Sequence, residues 1–124
     1  MTQAARLFEI LKTYRLHAWR ARRLLLTDAT RAELSAIPDV WRDELSDTTL
    51  HEAEFDAVWF ARAAGESSDE GVREAWELRL VAASPFALFE MFEADEAEED
   101  REDVRREMEA QMRERLAPPT NAVD

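Results

Sequence analysis

Cysteine is absent from the 124-residue chain, which excludes disulfide bonds and thiolate zinc sites and fits a reducing compartment. Glycine occurs only twice, proline four times and asparagine once, at Asn121. Hairpin turns depend strongly on glycine and on Asn-Gly pairs. The scarcity of these residues therefore argues against an all-β fold.

Long apolar runs are also missing. No stretch of the sequence approaches the run of about 18 apolar residues that a membrane span requires. Residues 1–6 (MTQAAR) lack the apolar segment of a signal peptide. The sequence therefore predicts a cytoplasmic protein that does not associate with a membrane.

Lysine is the rarest charged residue: Lys12 is the only one, beside fifteen arginines and 28 acidic residues. The formal net charge is −12. A GC-rich genome or a halophilic host accounts for such a composition without reference to function. A surface this acidic resists non-specific binding to nucleic acid and favours basic partners.

The charge is distributed unevenly along the chain. Residues 1–31 contain seven basic and two acidic residues, so the rest of the chain carries a formal charge of −17. The densest acidic run, here called the acidic strip, lies within residues 93–103. It consists of Glu93, Asp95, Glu96, Glu98, Glu99, Asp100, Glu102 and Asp103, interrupted by Arg101 alone among the basic residues.

Apolar residues recur at three- and four-residue spacing over residues 2–26, beginning with Leu7, Ile10 and Leu11. This period predicts an amphipathic helix. The opposite side of this helix is predicted to be a basic face with one aromatic residue. The basic face consists of Arg15, Trp19, Arg20, Arg22 and Arg23.

Further helix starts are indicated by capping boxes, in which Ser or Thr precedes Glu by three positions. The three boxes are Thr30 with Glu33, Thr49 with Glu52, and Ser67 with Glu70. They predict helices that end near residues 36, 64 and 83. Pro38 and Pro85 suit the first turn of two more helices, a short one over 38–45 and a long one over 85–116.

These elements together predict an all-α fold, a single-domain bundle of four to five helices with a long charged C-terminal helix. The helical domain is predicted to cover residues 1–117, with a flexible tail over 118–124. Apolar positions become sparse after Glu93. The last of them, Met108, Met112 and Leu116, predict a narrow apolar seam beside the acidic strip.

No catalytic or cofactor-binding pattern is found. Neither His17 nor His51 has an acidic residue three positions before it, as a di-iron helix bundle would require. Gly65 and Gly71 do not form a phosphate-binding loop, and the chain has no G-x-S-x-G nucleophile elbow. The sequence therefore predicts a protein that is not an enzyme and that binds no metal and no cofactor.

Three functional hypotheses follow. The first is a non-catalytic interaction module, an inhibitor, adaptor or assembly factor of the phage or mobile-element accessory type, whose acidic strip and apolar seam dock a basic protein surface. The second is a structural or assembly component, such as a virion protein of a halophilic host, that forms homo-oligomers. The third is a DNA-binding regulator that uses the basic face of the first helix, although the acidic remainder makes nucleic acid an unfavourable partner.

Overall fold

The computed structural model describes residues 1–36, 45–64 and 72–116, and in this part of the chain three helices accompany a five-stranded mixed sheet. The prediction of an all-α helical bundle is therefore wrong. In chain order the elements are α1 (Gln3–Leu16), β1 (Arg20–Leu26), α2 (Asp28–Ser35), β2 (Thr49–Glu52), β3 (Ala57–Ala63), β4 (Glu74–Leu80), β5 (Ala87–Phe92) and α3 (Glu98–Leu116).

The sheet has the strand order β2-β1-β3-β4-β5, in which β1 and β2 are parallel and the other pairs are antiparallel. Helices α1 and α2 contact one face, and α3 covers the other. The central strand β3 is buried on both sides. Val58 and Phe60 face α1, whereas Trp59 lies in the core beneath α3.

The burial of β3 explains why the predicted helix over 49–64 is wrong. A strand covered on both faces has a continuous apolar run, and periodicity alone does not distinguish such a run from a buried helix. The segment instead forms β2 and β3. The predicted helix over 67–83 contains β4 in its described part, and the helix predicted from Pro85 begins only at Glu98, after β5.

The first predicted helix ends ten residues early, at Leu16 rather than at Leu26. His17 caps the helix, and Ala18 follows in the left-handed conformation with φ 67°. The N–H groups of Ala18 and Trp19 donate to the carbonyl oxygens of Arg15 and Tyr14 at 3.1 and 3.0 Å. This is a Schellman motif with alanine at the position that usually holds glycine, so the sequence carries no glycine signal for the helix end.

We expect Ala18→Gly to raise the free energy of unfolding by about 1 kcal/mol, because glycine removes the Cβ clash of the left-handed conformation. Chemical denaturation of the variant and the wild type measures the difference. Ala29→Gly on the exposed side of α2 is the matched control, and it should be destabilising by about 1 kcal/mol. Destabilisation by Ala18→Gly would contradict the assigned helix end.

Helix α2 agrees with the predicted short helix over 30–36 except at its start. Thr27 is the N-cap, and its hydroxyl oxygen accepts from the Thr30 N–H at 3.3 Å. Glu33, the other predicted member of the capping box, instead accepts from the backbone N–H of Ala4 at 3.0 Å. The predicted helix over 38–45, apart from Leu45, lies outside the described residues, as do the Ser67–Glu70 box and the predicted tail over 118–124.

The buried carboxylate of Asp56 connects α1, α2 and the start of β3 at one end of the sheet. Asp56 accepts from the Thr27 N–H at 2.8 Å, from the Thr30 hydroxyl at 2.6 Å and from the side-chain amide of Gln3 at 2.9 Å. It thereby connects the start of β3 to the N-termini of α1 and α2. Hydrogen bonds to a buried charge are stronger than those between neutral groups, so Asp56 fixes how both helices meet the sheet.

Candidate functional site

Helix α3 meets the sheet through two arginines and two methionines: Arg101, Arg105, Met108 and Met112 are its buried residues. Arg105 is only 1 % exposed. Its guanidinium lies 3.9 Å from the centroid of a Trp76 ring and 5.2 Å from that of Phe92. The first half of α3 therefore packs on aromatic rings through a charged group rather than through an aliphatic one.

Three acidic residues pair with the arginines of this layer. Arg105 contacts Glu98 at 2.7 Å and Glu102 at 2.9 Å. Glu102 also receives two hydrogen bonds from Arg23 of β1, at 2.8 and 3.1 Å. Arg101 pairs with Glu74 of β4 at 2.9 Å. We call these six residues (Arg23, Glu74, Glu98, Arg101, Glu102 and Arg105) the charged layer.

The charged layer changes the acidity of two glutamates. Hydrogen bonding to Arg105 lowers the pKa of Glu98, and hydrogen bonding to Arg23 lowers the pKa of Glu102, with a further contribution from Arg105. Both carboxyl groups are therefore held in the ionised form. Two members of the predicted acidic strip, Glu98 and Glu102, are thus paired with arginines where α3 meets the sheet, although the side chain of Glu98 remains 71 % exposed.

The predicted apolar seam is also partly buried against the sheet. Met108 is 6 % exposed and Met112 is fully buried, and both belong to the core between α3 and the sheet. Leu116, at the end of the helix, remains 42 % exposed. The two methionines are therefore occupied by the chain's own core.

The remaining members of the acidic strip lie on the surface. Glu93 pairs with Arg73 at 3.1 Å, and Asp103 pairs with Arg106 at 3.3 Å. The Glu96 carboxylate accepts from the Glu93 N–H at 2.8 Å. Among the described residues, no ion-pair partner is found for the other members of the strip, Asp95, Glu99 and Asp100.

The side of α3 that points away from the sheet carries five exposed acids together with the exposed arginines Arg106 and Arg113. At 3.6 residues per turn, positions 99, 103, 107 and 114 lie opposite the buried positions 101, 105, 108 and 112, and position 100 lies on the flank of that side. We call this surface the outer acidic face. It consists of Glu99, Asp100, Asp103, Glu107 and Glu114, all of them exposed. Glu107 and Glu114 were not predicted as site residues, although their spacing from Asp103 and Glu99 along a helix already places them on this face.

The predicted basic face is not on a single helix, because α1 ends at Leu16 and β1 begins at Arg20. Arg23 lies on the α3 side of the sheet, in the charged layer. The other four members remain together in one place. A surface cavity of about 400 Å³ is lined by Arg15, Trp19, Arg20 and Arg22, together with Leu11, Ala21, Leu45, Ser46, Asp47, Thr48 and Phe60.

Neither histidine lies in a cluster of metal-ligating side chains within the described part of the chain. His17 is the exposed C-cap of α1. His51 is an exposed residue of β2, and its Nε2 lies 2.8 Å from the hydroxyl oxygen of Thr49. Within residues 1–36, 45–64 and 72–116, no group of three or more His, Asp and Glu side chains is arranged to hold a metal ion. In the same ranges, none of the helices is long and apolar enough to cross a membrane.

Comparison of the chain with protein-family models, with curated proteins and with solved structures finds no match.

Proposed function

We propose that this chain is a non-catalytic interaction protein that binds a basic surface of a partner protein through the outer acidic face of α3. Inhibitor, adaptor and assembly factor are the roles that such binding serves. The observation that supports the proposal is the row of five exposed carboxylates between Glu99 and Glu114. Of these five, only Asp103 has an ion-pair partner among the described residues.

The geometry of α3 favours binding in two ways. The row extends over roughly 22 Å of helix, a length that matches a basic groove or helix on a partner. The opposite side of α3 is fixed to the sheet by Arg105, Met108 and Met112, so the carboxylates are held in a fixed pattern before binding. A preorganised surface loses less conformational entropy when it binds.

The location of the acids decides which of them are available. Glu98 and Glu102 already have cationic partners within the chain, and a binding partner would have to break those pairs. The acids of the outer acidic face keep their charge exposed to solvent. Their field attracts a basic partner and accelerates its association, and this effect weakens as salt screens the charges.

The test is a charge-neutralised variant of the outer acidic face, Glu99→Gln, Asp100→Asn, Asp103→Asn, Glu107→Gln and Glu114→Gln. Its matched control neutralises five exposed acids elsewhere, Glu9→Gln, Asp28→Asn, Asp47→Asn, Glu52→Gln and Glu54→Gln. Both variants raise the formal net charge from −12 to −7. Circular dichroism first establishes that each variant is folded.

Proteins captured from an extract of the native host by the wild type and both variants are quantified by mass spectrometry. The dissociation constant of each recovered partner is then measured by calorimetry at low and high salt. We expect the outer-face variant to bind at least tenfold more weakly, since the loss of about 1.4 kcal/mol of interaction suffices for that factor. The control should retain the partner. Equal loss in both variants, or no loss in either, would contradict the proposal.

A second copy of the chain is the alternative binding partner, and it is distinguished by the mass in solution. We expect sedimentation to show a monomer in the absence of the partner. An oligomer that grows more stable as salt rises would replace the proposal with homo-oligomeric assembly, because salt screens the repulsion between acidic copies.

A further inference from the structure

We propose that the cavity between the end of α1, the start of β1 and residues 45–48 binds a small phosphorylated molecule with an aromatic or apolar body. The cavity has the opposite charge to the outer acidic face, so its ligand belongs to a different chemical class from the basic partner. The following observations support this assignment.

Positive charge is concentrated at the cavity in a chain whose net charge is −12. Arg15, Arg20 and Arg22 line it, and among the described lining residues Asp47 is the one acid. The side chains of Arg20 and Arg22 are exposed, and among the described residues no acidic group pairs with either guanidinium. Two cationic groups at the cavity are therefore available to a ligand.

The number of donors favours a phosphate over a carboxylate. One guanidinium satisfies a carboxylate by a two-point contact. The two guanidinium groups of Arg20 and Arg22 supply more donors than this two-point contact uses, and they match the three terminal oxygens of a phosphate monoester better than the two oxygens of a carboxylate. Arg20 and Arg22 together carry a formal charge of +2 at neutral pH, and a phosphate monoester carries about −1.5 to −2.

The inner wall of the cavity is apolar. Leu11 and Phe60 are buried core residues that also line the cavity, and Leu45 is half-buried beside them. Bare phosphate would leave this wall uncovered, whereas an aromatic or aliphatic group would cover it. A volume of about 400 Å³ lies in the range of small-molecule sites, roughly 300–1,000 Å³.

The aromatic wall is held in place before any ligand binds. Trp19 packs edge-on against Tyr14, with 6.1 Å between ring centroids, and the Arg62 guanidinium lies 4.7 Å from its ring. Tyr14 in turn stacks on Phe60 at 4.0 Å. A fixed indole beside arginine side chains is a suitable surface for a flat ring that carries a phosphate.

Strand β1 contains a β-bulge next to the arginines that line the cavity. The pairing of β1 with β3 shifts between Ala21 and Arg23, so Arg22 is an additional residue in β1. Ala21 and Leu24 consequently both pack on the α1 side, while Arg23 pairs with Glu102 on the α3 side. Bulges redirect side chains and often lie beside binding sites. This bulge separates the cavity arginines from the charged layer.

The experiment follows ¹⁵N-labelled protein by NMR during titration with four probes: AMP, phenyl phosphate, inorganic phosphate and adenosine. AMP and phenyl phosphate distinguish a nucleotide from another aryl phosphate. We expect AMP or phenyl phosphate to shift the amide signals of residues 19–22 and 45–48 in a saturable manner. Inorganic phosphate should bind at least tenfold more weakly than the better of the two, and adenosine should cause no saturable shift.

Arg20→Gln with Arg22→Gln should weaken binding of the better probe at least tenfold. Arg106→Gln with Arg113→Gln, two exposed arginines of α3, removes the same charge and should leave binding unchanged. No saturable shift with either AMP or phenyl phosphate at millimolar concentration would overturn the proposal, and so would equal losses in both variants. Equal binding of inorganic phosphate would overturn the assignment of an apolar body. Capture of the basic partner by the Arg20/Arg22 variant is expected to be unchanged, so the two proposals fail independently.

Discussion

Replacement of Arg105 by alanine is expected to lower the free energy of unfolding by about 2–5 kcal/mol, the cost of emptying a packed position in the core. The guanidinium is 1 % exposed, pairs with Glu98 and Glu102 and lies against Trp76 and Phe92. Alanine would leave a cavity over the aromatic rings and remove a cation from two carboxylates. Denaturation by guanidinium chloride at pH 7 measures the change.

Arg105→Met is the matched control, since methionine fills most of the arginine volume with an apolar chain. The side chain of Glu98 is 71 % exposed and that of Glu102 keeps Arg23, so both carboxylates remain solvated or paired without Arg105. Methionine also removes the buried Nε of Arg105, which has no hydrogen-bond partner in the described structure. We expect the methionine variant to lose less than half as much stability as the alanine variant. Equal losses would mean that the charge, and not the packed volume, holds α3 on the sheet.

The charged layer also gives the Arg105 variants a pH dependence of defined sign. The folded-state pKa values of Glu98 and Glu102 are lowered, chiefly by hydrogen bonds to Arg105 and Arg23 respectively. The resulting stabilisation is complete above the ordinary glutamate pKa of about 4.3 and is lost as the pH falls through the lowered values. The stability difference between the wild type and Arg105→Met should therefore shift in favour of the variant below pH of about 4. A difference that does not change with pH would contradict these pairings.

Trp59→Ala is expected to cost about 3–5 kcal/mol, a large part of the total stability of a domain of this size. Trp59 is fully buried in β3, packs edge-on against Trp76 with 5.9 Å between ring centroids, and donates its indole N–H to Glu109 of α3 at 2.8 Å. The substitution removes the largest fully buried side chain of the described core and its hydrogen bond to α3.

Trp59→Phe separates these two contributions, because phenylalanine keeps most of the buried ring but has no N–H donor. We expect it to cost about 1–2 kcal/mol, the value of a hydrogen bond together with a small cavity. Thermal or chemical denaturation measures both variants. A cost below about 1 kcal/mol for Trp59→Ala would show that β3 is not the centre of the core.

The sequence predicts the helical segments where local signals are sufficient. The spacing of Thr and Glu predicts a helix over 30–36, where α2 lies, and the helix predicted over 85–116 is present from Glu98 onward. The sequence does not predict the strands, because an apolar run such as residues 57–61 is buried on both faces and has no alternating pattern. One usable signal was present: Trp76, Leu78 and Leu80 alternate with polar residues at a period of two, which is typical of a strand.

The distribution of charge was predictable, but its use within the fold was not. Arg23 and Glu102 are separated by 79 positions, and only the sheet brings them together. Likewise, the sequence predicts the basic face as a group, but its four remaining members meet at the cavity because α1 ends at Leu16 and the chain turns at Ala18 without a glycine. Pairing between residues far apart in the sequence, and a helix end without glycine, produce no local pattern by which a single sequence could predict them.

β2 is an edge strand, and this position determines where the native sheet unfolds locally. β2 pairs on one side only, all four of its residues are exposed, and its parallel partner β1 is separated from it by α2 and the chain that follows. Because β2 buries little apolar surface, little offsets the conformational entropy that it loses on folding. Local unfolding of the sheet therefore begins at β2. Residues 45–48 lead directly into β2 and form one wall of the cavity that we propose binds a phosphorylated molecule. Detachment of this rim would therefore widen the entrance for a ligand while the hydrophobic layers on either side of β3 stay intact.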